Sequence, residues 1–125
     1  MSAPEPQIWS ALPRPALLVD GEGRIAAANS EAELFFNASQ KTLTGAALAD
    51  RLYCDQPLLP LLERARAGQA ALYLNDVEVG AGGRSAVLAN ISVAMVQSEA
   101  ADVLLLIEPR EIAGHFGRAL QVRTA

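Results

Sequence analysis

The chain has 125 residues, with 10 basic and 14 acidic side chains and a formal net charge of −4. Its size is that of one domain, and 51% hydrophobic against 19% charged residues is enough apolar material for a packed core. The acidic balance argues against a general nucleic-acid surface, a single cysteine excludes a disulfide framework or multi-cysteine zinc site, and a single histidine argues against a His-rich metal centre.

No stretch reaches the roughly 20 apolar residues that span a bilayer. Residues 1–6 lack the basic start and apolar stretch of a secretory signal. The expectation is a cytoplasmic protein with no membrane and no nucleic-acid partner.

In chain order, Ile8, Trp9 and Leu12 share one helical face, and Pro13 and Pro15 end that short helix. Two apolar runs, residues 16–20 and 24–28, flank Gly21-Glu22-Gly23 and predict a β-hairpin. Asn29 and Ser30 are helix-capping types, and Glu33 stands three after Ser30, a capping-box pattern. The helix that follows runs through Phe35 and Phe36 and ends at Asn37. Residues 46–52 predict a short helix. Asp55 is the expected cap of a longer one, with Pro57 in its first turn, Leu58, Leu59, Leu62 and Ala65 as its buried stripe, and Gly68 at its end.

From residue 70 the period changes to two. Residues 70–79 and 84–96 predict strands joined by Gly80-Ala81-Gly82-Gly83. The second strand puts Val87, Ala89, Ile91, Val93 and Met95 on one face. Residues 97–101 predict a loop, residues 102–108 a central strand, and Pro109 its stop. Residues 111–122 return to helix, with Ile112, Phe116 and Leu120 at four-residue spacing. The fold class is therefore α+β: a five-stranded antiparallel sheet with helices packed on one face, plus flanking N- and C-terminal helices.

This order resembles the PAS domain, a sensory and dimerisation module. The resemblance rests on Leu12-Pro13-x-Pro15-x-Leu17-x-Val19-Asp20 followed by Gly23-Arg24-Ile25, on Ala28-Asn29-Ser30-x-Ala32-Glu33-x-Phe35-Phe36, and on Leu43-x-Gly45. Ile8-x-x-Ala11-Leu12-Pro13-x-Pro15, Gln56-Pro57-Leu58-Leu59 and Glu108-Pro109-Arg110-Glu111-Ile112-Ala113 are similar to the sensory domain of nitrogen-regulation (NtrB-type) sensor histidine kinases. The resemblance implies a flexible N-terminus over residues 1–7, a PAS domain over 8–109 and the start of a signalling helix over 110–125. It implies a homodimer that passes a signal to downstream histidine kinase domains, with a PII signal protein and a response regulator as further partners. His115 is followed by Phe116 and Gly117, unlike a phospho-accepting histidine, so the chain is expected to be a sensory domain without kinase activity.

No catalytic, cofactor-binding or metal-binding residues are expected. Cys54 lies in Tyr53-Cys54-Asp55-Gln56, which lacks the Asn-Cys-Arg-Phe setting of a flavin-adduct cysteine, and so reads as a structural thiol. His115 is not on the long helix where haem-binding relatives carry their ligand. Gly80-Ala81-Gly82-Gly83 opens no helix and has no spaced lysine, so it reads as a strand connection rather than a phosphate loop. Asp20, Glu22 and Glu33 read as turn and capping residues.

Phe35, Leu52, Leu62, Ile91 and Leu105 are the candidate lining of a ligand pocket between sheet and helices, or equally a filled core. The filled core is preferred, with a small-molecule sensor as the alternative. Ile8, Trp9, Leu12, Ile112, Phe116, Ala119 and Leu120 are the candidate dimer and signalling surface, set against the alternative that they cap the domain's own sheet.

Overall fold

The computed structural model describes residues 9, 11–68, 70–83, 85–96 and 102–110. The predicted hairpin forms as β1 (Ala16–Val19) and β2 (Ile25–Ala28), antiparallel. Gly23 makes the turn with φ +81°, and Asp20 closes it by accepting the Glu22 and Arg24 amides at 2.8 and 3.0 Å. Helices α1 (Ser30–Phe36), α2 (Gln40–Leu43) and α3 (Leu48–Arg51) follow, then β3 (Tyr53–Cys54) and α4 (Leu58–Gly68). Strands β4 (Leu72–Gly80), β5 (Val87–Met95) and β6 (Val103–Pro109) complete the chain order.

The strands form one antiparallel sheet in the order β2-β1-β6-β5-β4-β3. It has six strands, not the expected five. The extra one, β3, is two residues long and has no alternating pattern to read. It is held to β4 partly because Asp55 exchanges bonds with Glu78: its amide donates to the Glu78 carbonyl at 3.0 Å, and its Oδ1 accepts the Glu78 amide at 3.1 Å. Asp55 is thereby spent on the sheet and is not the cap of α4, which corrects the expectation above.

Other local expectations are corrected too. The cap of α1 is Asn29, whose side chain accepts the Ala32 amide. Glu33 does not complete a capping box. Its Oε2 accepts the Gln40 amide at 2.7 Å and so serves the start of α2, a one-turn helix that the pattern did not announce. The buried stripe of α4 is Leu58, Leu61, Leu62 and Ala65, while Leu59 is 48% exposed. That spacing of three, four and seven is the one a helix needs for a single buried face.

Period-two alternation divides the sheet. Leu17, Val19, Val77, Val79, Ala89, Ile91, Val93, Val103, Leu105 and Ile107 face the helices and join Phe36, Leu43, Leu48, Leu52 and Leu62 in one core. Val87 and Met95, expected on the same face, lie toward the strand ends and are less buried. The open edge of β2 is covered by backbone: the Ile25 amide donates to Ala46 at 2.8 Å and the Gly45 amide to Ile25 at 2.7 Å.

The β4–β5 turn rests on the end of α1. Gly82 has φ +65°, and a Cβ there would stand 2.7 Å from the Phe36 carbonyl oxygen and 2.9 Å from Asn37 Cβ. Neither neighbour is a flexible side-chain end. Gly82→Ala is expected to cost about 2 kcal/mol, read as a lower Tm by calorimetry.

Candidate functional site

The five candidate lining residues come together. Leu52, Leu62, Ile91 and Leu105 belong to the core cluster, with Leu62, Ile91 and Leu105 in its fully buried part, and Phe35, partly buried, packs against it. Among the described residues three hollows reach the edge of this group: Leu52 lines two of them and Phe35 the third, while Leu62, Ile91 and Leu105 line none of the three. An open trough of about 670 Å³ runs between residues 49–54 and the Gly80–Gly83 turn. Hollows of about 150 and 180 Å³ flank α4's start and the Val79–Pro109 corner. The two smaller ones are below the roughly 300 Å³ of a typical small-molecule site.

Cys54 borders the trough and is half-buried. Burial, and then the Asp55 charge, push its thiol pKa up, partly offset by a backbone hydrogen bond at Gln56. A raised thiol is a poor nucleophile. Among the described residues no group of His, Cys, Asp and Glu could hold a metal ion, and no helix is long and apolar enough to cross a membrane.

The outer face of the sheet is different. Ala16, Leu18, Ala27, Leu104 and Leu106 form a second apolar cluster there, on β1, β2 and β6. Trp9 and Leu12 pack onto it, and Trp9 is 9% exposed. Of the N-terminal candidates, Trp9 and Leu12 thus cover the chain's own sheet, while Ile8 lies outside the described residues. Ile112, Phe116, Ala119 and Leu120 also lie outside them.

Beyond Trp9 the outer face continues onto β5 and β4. Leu88 is 42% exposed and Tyr73 67% exposed. Tyr73 stands opposite Ser92 in the ladder, and Ser92 opposite Leu106, so the polar Ser92 lies between Tyr73 and the Trp9 cluster, while Leu88 lies farther along β5 beside Glu78. Tyr73 and Leu88 were not singled out from the sequence. Their signal is position: they alternate with core-facing neighbours Leu72, Leu74 and Ala89.

One buried charge sits at the sheet's end. Asp102 is 1% exposed and its Oδ1 has no hydrogen-bond partner. Burial, followed by the Asp20 carboxylate, raises its pKa, and Arg66 pulls the other way. Arg66 lies nearby, donating from Nη2 to the Asp20 carbonyl at 2.7 Å. Because the folded pKa is raised, the folded state holds the proton more tightly than the unfolded chain. The destabilising contribution is absent below the ordinary aspartate range and grows as pH rises through the raised value. Asp102→Asn is expected to stabilise the fold by about 1 kcal/mol at neutral pH and to flatten stability against pH over that window, measured by denaturant titration.

The sheet order and the helices between β2 and β4 match solved PAS domains. The PAS domain of nitrogen regulation protein NR(II) from Vibrio parahaemolyticus superposes with a TM-score of 0.75 at 20% identity, covering 87% of this chain and all of that one. Sensory histidine kinase/phosphatase NtrB of Rhodobacter capsulatus is 43% identical over 126 residues, which cover the whole of this chain and 36% of that protein. The chain is a PAS domain of the NtrB type. The Rhizobium meliloti protein of the same name is 33% identical over 94% of this PAS domain and 31% of its own length. The chain therefore spans about a third of the curated relatives it matches. No family model matches it.

Proposed function

We propose that this PAS domain is the sensory and dimerisation module of a cytoplasmic two-component histidine kinase that regulates nitrogen metabolism. It is non-catalytic by itself. It passes its signal through the segment after β6 to phosphotransfer and kinase domains, which answer to a PII signal protein and act on a response regulator.

The observation that carries this reading is the outer face of the sheet, where Trp9 and Leu12 cover the apolar cluster on β1, β2 and β6 while Tyr73 and Leu88 stay exposed on β4 and β5. A second copy of the chain is its occupant. Exposed apolar residues of this kind, on a sheet whose other face packs against the helices, favour pairing. A filled core favours transmission through packing over the small-molecule alternative, and Leu62, Ile91 and Leu105 are fully buried within it.

Phosphorylation of the purified full-length protein is the test. The wild type is expected to incorporate phosphate from ATP and transfer it to its regulator, and Tyr73→Glu with Leu88→Glu to shift net phosphorylation several-fold. A full-length protein that takes up no phosphate would refute the reading.

A further inference from the structure

Two ion pairs flank the point where the chain leaves the sheet. On the β1 side, Arg14 Nη2 donates to Glu108 Oε2 at 3.0 Å. On the β4 side, the Arg110 guanidinium meets the Asp76 carboxylate. The second pair has an unusual support. Asp76 lies in the irregularity between Leu74 and Val77, where β4 slips its register against β5. Its φ is +58°, a left-handed conformation that few non-glycine residues adopt and that aspartate tolerates better than most. Asn90 Oδ1 on β5 accepts the Asp76 amide at 3.0 Å, and the Arg110 amide donates to the Leu88 carbonyl at 2.8 Å. A bulge re-aims a side chain. Here the re-aimed carboxylate holds the residue that follows β6.

We infer that the Asp76–Arg110 pair is a clasp that fixes where the chain leaves the sheet. The two side chains are 61% and 48% exposed, so the pair adds little to global stability and opens without unfolding the domain. That combination suits a switchable exit. Its consequence for signalling rests on the proposed function; its existence does not.

Amide hydrogen exchange by NMR on the 125-residue chain tests it. Asp76→Asn keeps the side-chain shape and the tolerance of a left-handed backbone while removing the charge. It is expected to speed exchange at Arg110 roughly threefold while the Ile91 and Leu105 amides stay unchanged. Asp76→Gly relieves any backbone strain and should behave the same way. About 1 M salt should reproduce the effect in the wild type. Arg110→Lys should retain most of the protection that Arg110→Met loses. Unchanged Arg110 exchange in both Asp76 variants, or equal losses in the Lys and Met variants, would overturn the clasp. In the full-length protein, Asp76→Asn is expected to shift net phosphorylation. If the wild type itself takes up no phosphate, the proposed function fails while the exchange result still decides the clasp.

Discussion

Asn29→Ala is expected to destabilise the domain by about 3 kcal/mol and lower its Tm by roughly 12 °C. Asn29 is 1% exposed and its side chain joins α1, β1 and the segment leading into β1. Its Oδ1 accepts the Ala32 amide at 2.9 Å, capping α1, and the Ala16 amide at 3.0 Å, at the start of β1. Its Nδ2 donates to the Arg14 carbonyl at 2.9 Å. Alanine removes the cap, worth about 1 kcal/mol, and leaves a buried amide without a partner, which costs about 1–3 kcal/mol more. Asn29→Ser separates the two parts. A serine hydroxyl caps a helix but cannot also span to Arg14 and Ala16, so it should recover only about 1 kcal/mol. Chemical denaturation of the wild type and the two variants measures this. Equal stabilities for the wild type and Asn29→Ala would show that the side-chain bridge contributes nothing.

Leu105→Ala is expected to cost about 3 kcal/mol, within the roughly 2–5 kcal/mol of large-to-small changes in packed cores. Leu105 is fully buried on β6, between Leu17 on β1 and Val93 on β5 in the ladder. The size of the loss bears on function. A residue lining a natural ligand cavity has fewer contacts to lose, so truncation there costs less. A packed residue leaves a dry apolar void, and the variant, unlike the wild type, should then take up xenon or benzene in the core. A loss below about 1 kcal/mol, or xenon uptake by the wild type, would favour the ligand-binding alternative.

The elements that were legible in the sequence are those that repeat a period over several residues. Residues 87–95 and 103–107 keep one apolar face, while the hairpin of 16–19 and 25–28 is carried instead by two short apolar runs around a glycine turn. Short or singular features were not legible. A two-residue strand such as Tyr53–Cys54 has no period, and Asp55 was drawn from its expected helix cap by the Glu78 backbone. The stripe of α4 went one leucine astray because Leu58 through Leu62 offer four leucines around Pro60, and only tertiary packing decides which face turns inward. Asp102 carried no signal, since a charge ahead of a strand ordinarily marks solvent. The bulge left a faint one: Asn75-Asp76 are poor strand residues in the middle of an otherwise regular run.

For the candidate site, the core residues were read as a group and meet as one. The outer face was reached from the sequence only through its flanking helices. Tyr73 and Leu88 emerge once the sheet order and register place them on the same face as the Trp9 cluster.

Sedimentation of the 125-residue chain across a concentration series tests the central claim most directly, because the proposed mechanism requires two copies joined at this face. The expected result is a dimer at high micromolar concentration that Tyr73→Glu with Leu88→Glu converts to a monomer with an unchanged circular-dichroism spectrum. A wild-type chain that stays monomeric throughout, or a dimer that survives both substitutions, would contradict it.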